Sequence, residues 1–187
     1  MSPYGPPLGA IEEVRQLNRL FLGFLREQPE IATEHFGLSR AASDLLRGST
    51  ADQIDCAADF PRALFRLHLP SAEPAAVMDP LGLTRESGRR ILQVTLLHSA
   101  WSLCRSSGYS ARLLLRLSDD EVRCLRQSDV NGILLMSHGD DVVRAAFDEF
   151  DWIWPKLLTE SRPEQRRRLL LIGMQPDFSP LPSAGLA

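Results

Sequence analysis

The sequence predicts an all-α protein in which one small helical unit occurs twice, the two units forming a pseudo-two-fold pair. Apolar residues recur at steps of three and four, with capping residues before each run and glycine or proline after it. A shift that places Leu17 on Leu96 superposes the two halves without a gap for about forty positions. Each unit alone is too small to bury its apolar faces well, so we expect the two to pack on each other.

The first unit is predicted to span residues 11–69, behind a flexible arm at residues 1–10 that is rich in proline and glycine. Pro29 ends its first helix, and a short helix over 31–36 is ended by Gly37. The apolar face of the first helix consists of Ile11, Val14, Leu17, Phe21 and Leu25.

Capping residues place the other helices of this unit. Ser39 is predicted to cap the third helix. Thr50 and Gln53 form a capping box, in which each side chain accepts a hydrogen bond from the main chain of the other, and a helix over 51–58 follows. Residues 64–69 are predicted to be extended or to form a short helix.

A stretch with three prolines at residues 70–83 is predicted to be a linker, followed by the second unit at 84–158 and by an Arg-rich helix with a proline-rich tail at 159–187. The long helix that Thr84 caps is predicted to end at Gly108. Its predicted buried face consists of Ile91, Val94, Leu97, Trp101 and Cys104.

The second unit repeats the capping signals of the first. Ser118 and Glu121 form another capping box, with Leu117 and Val122 as its hydrophobic staple, and Ser128 is predicted to cap the next helix. Beyond residue 59 the repeat needs one inserted residue. Matching apolar, capping and breaking positions under the shift include Leu17 on Leu96, Ser39 on Ser118 and Pro29 on Gly108.

Composition excludes several classes of protein. The 187 residues carry a net charge of −3, so no overall basic field favours nucleic acid. The three cysteines are odd in number and form no C-x-x-C pair, which favours a protein of the reducing cytoplasm without a disulfide framework. The N-terminus lacks the pattern of a signal peptide, and no apolar run approaches roughly 20 residues, so no membrane partner is expected.

The sequence offers no constellation for catalysis. The four histidines are scattered without metal-ligand spacing, and no phosphate-binding glycine motif or nucleophile elbow is present. We therefore predict no enzyme, no catalytic residue, no cofactor and no metal site. A catalytic site assembled from both repeats is a third hypothesis, behind the two functions given below.

One aromatic segment is predicted to bind a partner. An amphipathic helix is expected over residues 140–153, broken or kinked by Pro155. Aromatic side chains here face more than one side of the helix, which favours a protein interface. The alternative is that the two halves bury both sides against each other. The predicted partner-binding residues are Phe147, Phe150, Trp152 and Trp154.

Two stretches, 39–58 and 118–137, resemble a helix-turn-helix in spacing. The second helix of each is acidic or nearly uncharged, where a recognition helix would be basic. Plain helical packing is therefore favoured over direct DNA reading. The candidate phosphate contacts are Arg40, Arg47, Arg123 and Arg126.

Residues 11–69 resemble FlhD, the bacterial flagellar transcriptional regulator subunit. The resemblance runs through Leu17-Asn18, Phe36-Gly37-Leu38-Ser39, Leu45-Leu46, Thr50-x-x-Gln53 and Leu64-Phe65-Arg66-Leu67. The repeat extends it, more weakly, to residues 91–150. It implies an all-helical regulator that dimerises and acts with FlhC, a zinc-bearing partner that makes most of the DNA contacts. The tandem repeat would supply in one chain what that family makes from two.

Three departures from the family are present. Ala63 stands where the family has its intersubunit cysteine, so a covalent dimer link is not expected. The linker at 70–83 and the tail at 159–187 have no counterpart. The second unit shows Arg144-Ala145-Ala146-Phe147 in place of the Phe-Arg ending.

Two functions follow from these observations. The first is a non-enzymatic, cytoplasmic transcription-regulatory subunit of the activator type that assembles with an FlhC-like DNA-binding protein, contacting DNA indirectly through it. The second is an accessory protein that binds another protein or an enzyme complex and has no DNA role. Oligomerisation is compatible with both.

Overall fold

The computed structural model describes residues 6–69, 87–147 and 152–160, and five helical positions between 164 and 171. Within these residues the chain forms nine α-helices and two short strands, which confirms the all-α prediction in its coarse form. The predicted linker at 70–83 and most of the predicted tail lie outside the described residues.

The first half of the described chain contains four helices and one strand: α1 (Leu8–Glu27), α2 (Pro29–Glu34), α3 (Arg40–Gly48), α4 (Ala51–Ala58) and β1 (Phe65–Leu67). The second half contains α5 (Ser87–Ser106), α6 (Gly108–Leu115), α7 (Asp119–Gln127), α8 (Val130–Met136), β2 (Val143–Ala145) and α9 (Ile153–Thr159). The first four helices begin at residues 8, 29, 40 and 51, and helices begin again at 87, 108, 119 and 130. Each start therefore recurs in the second half at the shift that relates the two halves of the sequence.

Three of the predicted caps form as expected, whereas Thr84, predicted to cap the long helix, lies outside the described residues. Ser39 caps α3, and the Thr50 box is closed by the main-chain N–H of Thr50, which donates to Gln53 Oε1 over 2.8 Å. The Ser118 box begins α7 in the same way, with Ser118 N–H donating to Glu121 Oε2 over 2.7 Å. Gly37, at φ 70°, takes the left-handed conformation that ends α2 without steric conflict.

Several predicted boundaries differ from the structure. Helix α1 begins at Leu8, inside the predicted arm, and buries Ala10. Gly108 begins α6, because the Ser107 side chain accepts from Ser110 N–H and starts a new helix there. The cap of α8 is Asp129, one residue after the predicted Ser128.

The helix predicted over 140–153 is wrong. A turn leads into β2, which pairs with β1, and Phe147 follows in the left-handed conformation at φ 62°. Periodicity alone favoured a helix here, but tertiary pairing overrides local preference in so short a segment. The extended alternative for residues 64–69 is the one that forms.

The two strands pair antiparallel, with Arg66 opposite Arg144 at the centre of the register. The pairing continues at both ends of the ribbon. His68 N–H donates to Val142 O over 2.9 Å, and Ala146 N–H donates to Leu64 O over 2.8 Å. Because β1 and β2 come from opposite halves of the sequence, this ribbon joins them through the main chain.

A single continuous core contains buried residues from both halves. Helix α1 packs against α3 and α4 of its own half and also against α5 and α6 of the other half. Helix α9 crosses back and packs on α3 and α4. The largest fully buried side chains are Trp154, Phe21, Phe36, Phe60 and Phe65.

Asn18 is a buried polar residue that holds the segment between α4 and β1. Its Nδ2 donates to the carbonyls of Ala58 and Arg62, at 3.2 and 3.0 Å, and its Oδ1 accepts from Leu64 N–H over 2.8 Å. Buried main-chain groups outside regular structure need such partners. The side chain therefore fixes where β1 begins. The position that the repeat aligns with it in the second half is the buried Leu97.

We expect Asn18→Leu to lower the free energy of unfolding by about 2–3 kcal/mol, because Leu64 N–H and the loop carbonyls lose their buried partner. Urea denaturation followed by circular dichroism measures this. The control is Leu20→Ala, at an exposed position of the same helix, for which a change below about 0.5 kcal/mol is expected. Equal effects of the two substitutions would contradict the anchoring role.

Candidate protein-interaction surface

Three of the four aromatic residues predicted to bind a partner are described, and these three do not share one surface. Phe147 is 7% exposed and Trp154 only 1%. Phe150 lies outside the described residues. Trp152 is 46% exposed, with Lys156 Nζ 4.7 Å from its ring centroid. The prediction that Phe147 and Trp154 lie on a free surface is therefore wrong, and among the three described aromatic residues only Trp152 is exposed to a partner.

The burial of Trp154 and Phe147 follows from the path of the chain after β2. Helix α9 packs on α3 and α4, which are elements of the first half, and buries Trp154. Phe147 is covered by the Arg116 guanidinium, 4.3 Å from its ring centroid, and by the edge-on Phe60 ring at 5.7 Å. The two halves thus bury this segment against each other, which was the alternative expectation.

The four arginines predicted as phosphate contacts are all exposed, on α3 and α7. Arg47 pairs with Asp44 at 3.6 Å, and Arg123 pairs with Asp120 at 2.8 Å. These carboxylates offset much of the local positive charge. The remaining two, Arg40 and Arg126, are the more accessible candidates for a phosphate. The arrangement is compatible with peripheral phosphate contacts and offers little for reading bases.

A different surface emerges along the neighbouring helices α5 and α8. Trp101 Nε1–H donates to Ser128 O over 3.0 Å, and Gln93 Nε2–H donates to Gly139 O over 3.3 Å. The C-terminal part of α5 therefore meets the start of α8, and the N-terminal part of α5 meets the turn after α8. The two helices run antiparallel, side by side.

Apolar side chains remain exposed along this helix pair. Ile91 is 66% exposed, Val130 53% and Leu134 42%. On α5, Ile91, Val94 and His98 share one stripe with Trp101, because they lie three or four residues apart. On α8, Val130 and Leu134 are one turn apart. We call this surface the α5–α8 edge, formed by Ile91, Val94, His98, Trp101, Val130 and Leu134.

The sequence pattern predicted Ile91 in the buried face of the long helix. The buried apolar positions are instead Leu92, Leu96, Ala100 and Leu103, with Leu97 and Cys104 as predicted. The true face is rotated relative to the predicted one, which leaves Ile91 outside. One signal in the sequence pointed to an exposed apolar surface: α8 contains no charged residue, so its apolar side chains surround more of the helix than one core can cover.

Comparison with protein-family models, with curated proteins and with solved structures finds no match to this chain. The FlhD resemblance of residues 11–69 therefore stays a prediction from the sequence. Among the described residues, no cluster of histidine, cysteine, aspartate and glutamate has the arrangement of a metal site. No helix in the described ranges has the length and apolar character needed to cross a bilayer.

Cys104 is a buried thiol on α5. Burial raises its pKa from 9.0 to about 11, and the nearby Arg126 only partly opposes this effect. The thiolate is the reactive form, so the folded protein holds Cys104 in an unreactive state at neutral pH. Cys56, in contrast, is exposed.

In a Cys124→Ser variant, which removes the third, half-buried thiol, we expect Cys56 to react fast with Ellman's reagent at pH 8 and Cys104 at least about a hundredfold more slowly, because the higher pKa lowers its thiolate fraction. The difference should disappear in guanidinium chloride. The variant Cys56→Ser should lose only the fast phase. A fast phase at Cys104 in the native protein would contradict its burial.

The different burial of the two tryptophans gives a second prediction. Trp154→Ala should lower the free energy of unfolding by about 3–5 kcal/mol, because it leaves a cavity under α9. Trp152→Ala should change it by less than about 1 kcal/mol, the size of an exposed contact between a cation and an aromatic ring. Thermal and urea unfolding of both variants measure this. Similar losses from the two substitutions would mean that Trp152 is also a packing residue.

Proposed function

We propose that this chain is a non-enzymatic transcription-regulatory subunit that acts by assembly with an FlhC-like DNA-binding protein. In this proposal residues 11–69 and 84–158 are two FlhD-like units related by a pseudo-two-fold axis. The chain then combines in one molecule the two subunits of a dimeric regulator, and DNA is contacted mainly by the partner.

One observation carries the proposal. The order of helices and strand recurs in the two halves, and the pairing of β1 with β2 is unchanged when each residue is exchanged for the residue that the repeat aligns with it. After its one-residue adjustment, the repeat takes Leu64 to Val142 and His68 to Ala146. The hydrogen bond from His68 to Val142 is thereby exchanged with that from Ala146 to Leu64. An isologous contact between two like units has this property.

Two further features support a binding role. Several large apolar side chains lie exposed in the described part of the chain, as is common at protein interfaces. The resemblance of residues 11–69 to FlhD then favours a regulator among the many kinds of binding protein.

The runner-up function is an accessory protein that binds another protein and has no DNA role. It is favoured by the sequence pI of about 5.8 and by the ion pairs that Arg47 and Arg123 make with neighbouring aspartates. A protein with these charges gains little from a phosphate backbone.

The test is co-expression of the full chain with an FlhC-like protein from the same genome. We expect one complex in size-exclusion chromatography with light scattering, and a mobility shift of promoter DNA only when both proteins are present. Absence of a complex would refute the proposal. A complex without a DNA shift would favour the accessory function.

Charge variants of the same complex separate direct from indirect DNA contact. Arg40→Ala with Arg126→Ala should weaken DNA binding less than about threefold if the partner makes most contacts, because the partner's phosphate contacts remain and the two lost charges are exposed and screened by salt. The matched control is Arg112→Ala, an exposed arginine that pairs with Asp119 at 2.8 Å. A loss above tenfold would show that the chain itself contacts DNA.

A further inference from the structure

The α1–α4 helix pair in the first half is closed at its surface by ion pairs. Arg19 Nε lies 2.7 Å from Asp55 Oδ1, and Arg15 Nε lies 3.8 Å from Asp59 Oδ1. Arg15 also lies 3.4 Å from Glu12 Oε2. Three charged residues of α1 thus form a stripe that faces α4.

The positions that the repeat aligns with this stripe form the α5–α8 edge, and none of the ion pairs recurs there. Ile91 takes the place of Glu12, Val94 of Arg15 and His98 of Arg19. On α8, Leu134 takes the place of Asp55 and Val130 that of Ala51. The surface of the α1–α4 pair is therefore polar and closed by its own ion pairs, whereas the corresponding surface of the α5–α8 pair is largely apolar and exposed.

We propose that the α5–α8 edge is the docking site for an amphipathic helix of another protein, with aliphatic residues about one turn apart and acidic residues beside them. This inference rests on the proposed function, in so far as the chain acts by binding a protein. The helix would lie along the two antiparallel helices and place its aliphatic side chains against Ile91, Val130 and Leu134.

The size of the surface favours a single helix over a second copy of this chain. The exposed aliphatic side chains present on the order of 300 Å² of apolar surface, at the lower end of the range for the largest apolar patch on a monomer, which is often functional. A stable contact between two globular chains buries about 800 Å² on each partner. A helix laid in a groove needs only a few aliphatic anchors, which matches what the edge offers.

The charges beside the edge define the flanks of the partner helix. Helix α5 carries Arg90 and Arg105 and no acidic residue, whereas its third arginine, Arg89, is buried and pairs with Asp140 at 3.0 Å. Helix α8 carries no charge, and the carboxylate of its cap, Asp129, accepts from Gly132 N–H over 2.7 Å. Arg105 lies beside the edge, with its guanidinium carbon 5.0 Å from the centroid of the Trp101 ring. Glutamate or aspartate on a partner helix would meet these cations, whereas lysine or arginine would be repelled.

The experiment places photoreactive benzoylphenylalanine at Val130 of the full chain in its native cells, with the matched position Ala51 in the first half as control. After irradiation the cross-linked peptide is sequenced by mass spectrometry. The expected product is a segment of another protein with aliphatic residues at i, i+3 or i+4, and i+7, and with more acidic than basic residues. Its yield from Val130 should exceed that from Ala51 at least tenfold.

A charge-transplant variant tests the edge itself. His98→Arg with Leu134→Asp rebuilds the Arg19–Asp55 pair of the first half on α5 and α8, and should lower the cross-link yield at least tenfold. The reciprocal control is Arg19→His with Asp55→Leu, which should leave the yield within about twofold. Thermal unfolding checks that both variants fold. If the first does not, Val130→Asp with the photoprobe at Asn131 replaces it, because both positions are exposed.

Each of the following results would overturn the inference: a cross-link to a second copy of the chain, a cross-link to another part of the same chain, a partner segment without the stated pattern, equal yields from Val130 and Ala51, or an unchanged yield after the His98→Arg and Leu134→Asp changes. These results are separable from failure of the proposed function. An FlhC-like complex that survives the His98→Arg and Leu134→Asp changes would refute the docking site and leave the regulatory proposal standing. A cross-linked helix with the stated pattern that comes from a protein unrelated to FlhC would support the docking site and count against the regulatory proposal.

Discussion

The antiparallel pairing of β1 with β2 is the constraint on which the rest of the structure depends. A two-stranded ribbon is marginally stable in water unless an apolar core supports it. Here Phe65, Leu67, Val143 and Ala145 all point into the shared core, so the ribbon and the helices stabilise each other. The strands come from opposite halves of the chain, and their hydrogen bonds therefore fix how the two sets of four helices meet. A further bond, from Ala145 N–H to Phe36 O over 2.8 Å, ties the ribbon to the end of α2.

The path of the chain after β2 follows from this pairing. At the end of the ribbon Phe147 turns in the left-handed conformation, and α9 then packs on α3 and α4, where Trp154 enters the core. Arg116, also left-handed at φ 59°, lies over the Phe147 ring. Two non-glycine residues with positive φ thus meet at one contact. Such conformations cost about 1–3 kcal/mol each and persist where the surrounding packing fixes them.

The sequence predicted well what is decided locally and poorly what is decided by distant contacts. Capping boxes at Thr50 and Ser118 placed helix starts to the residue, because the cap and the third helical residue satisfy each other within one turn. The strands have three residues each, too few for a period of two to stand out against a helical pattern.

The orientation of α5 about its own axis could not be predicted from the sequence. Its apolar residues surround much of the helix, so the packing of neighbouring helices decides which of them remain exposed. Phe147 and Trp154 were wrongly predicted to be exposed for the same reason, because their burial depends on the pairing of β1 with β2, which no local sequence pattern predicts. The candidate site could therefore be expected only as a class of surface, whereas its residues had to come from the structure.

The contrast between the two helix pairs bears on function, because stability does not explain it. Exposed ion pairs such as those on α1 and α4 contribute little to folding, with a median of about 0–1 kcal/mol. Their replacement by aliphatic residues on α5 and α8 therefore has little effect on the folded state, while it leaves an apolar surface in contact with water. If both pairs served only to hold the fold together, polar residues would suit both equally. If the two halves are copies of one unit, as proposed, they present this surface differently. The α1–α4 pair is closed by its own ion pairs, whereas Ile91 and Leu134 stay exposed on the α5–α8 edge. In the proposed two-unit arrangement this asymmetry gives the chain one distinct side, as the binding of a single partner in a single orientation would require.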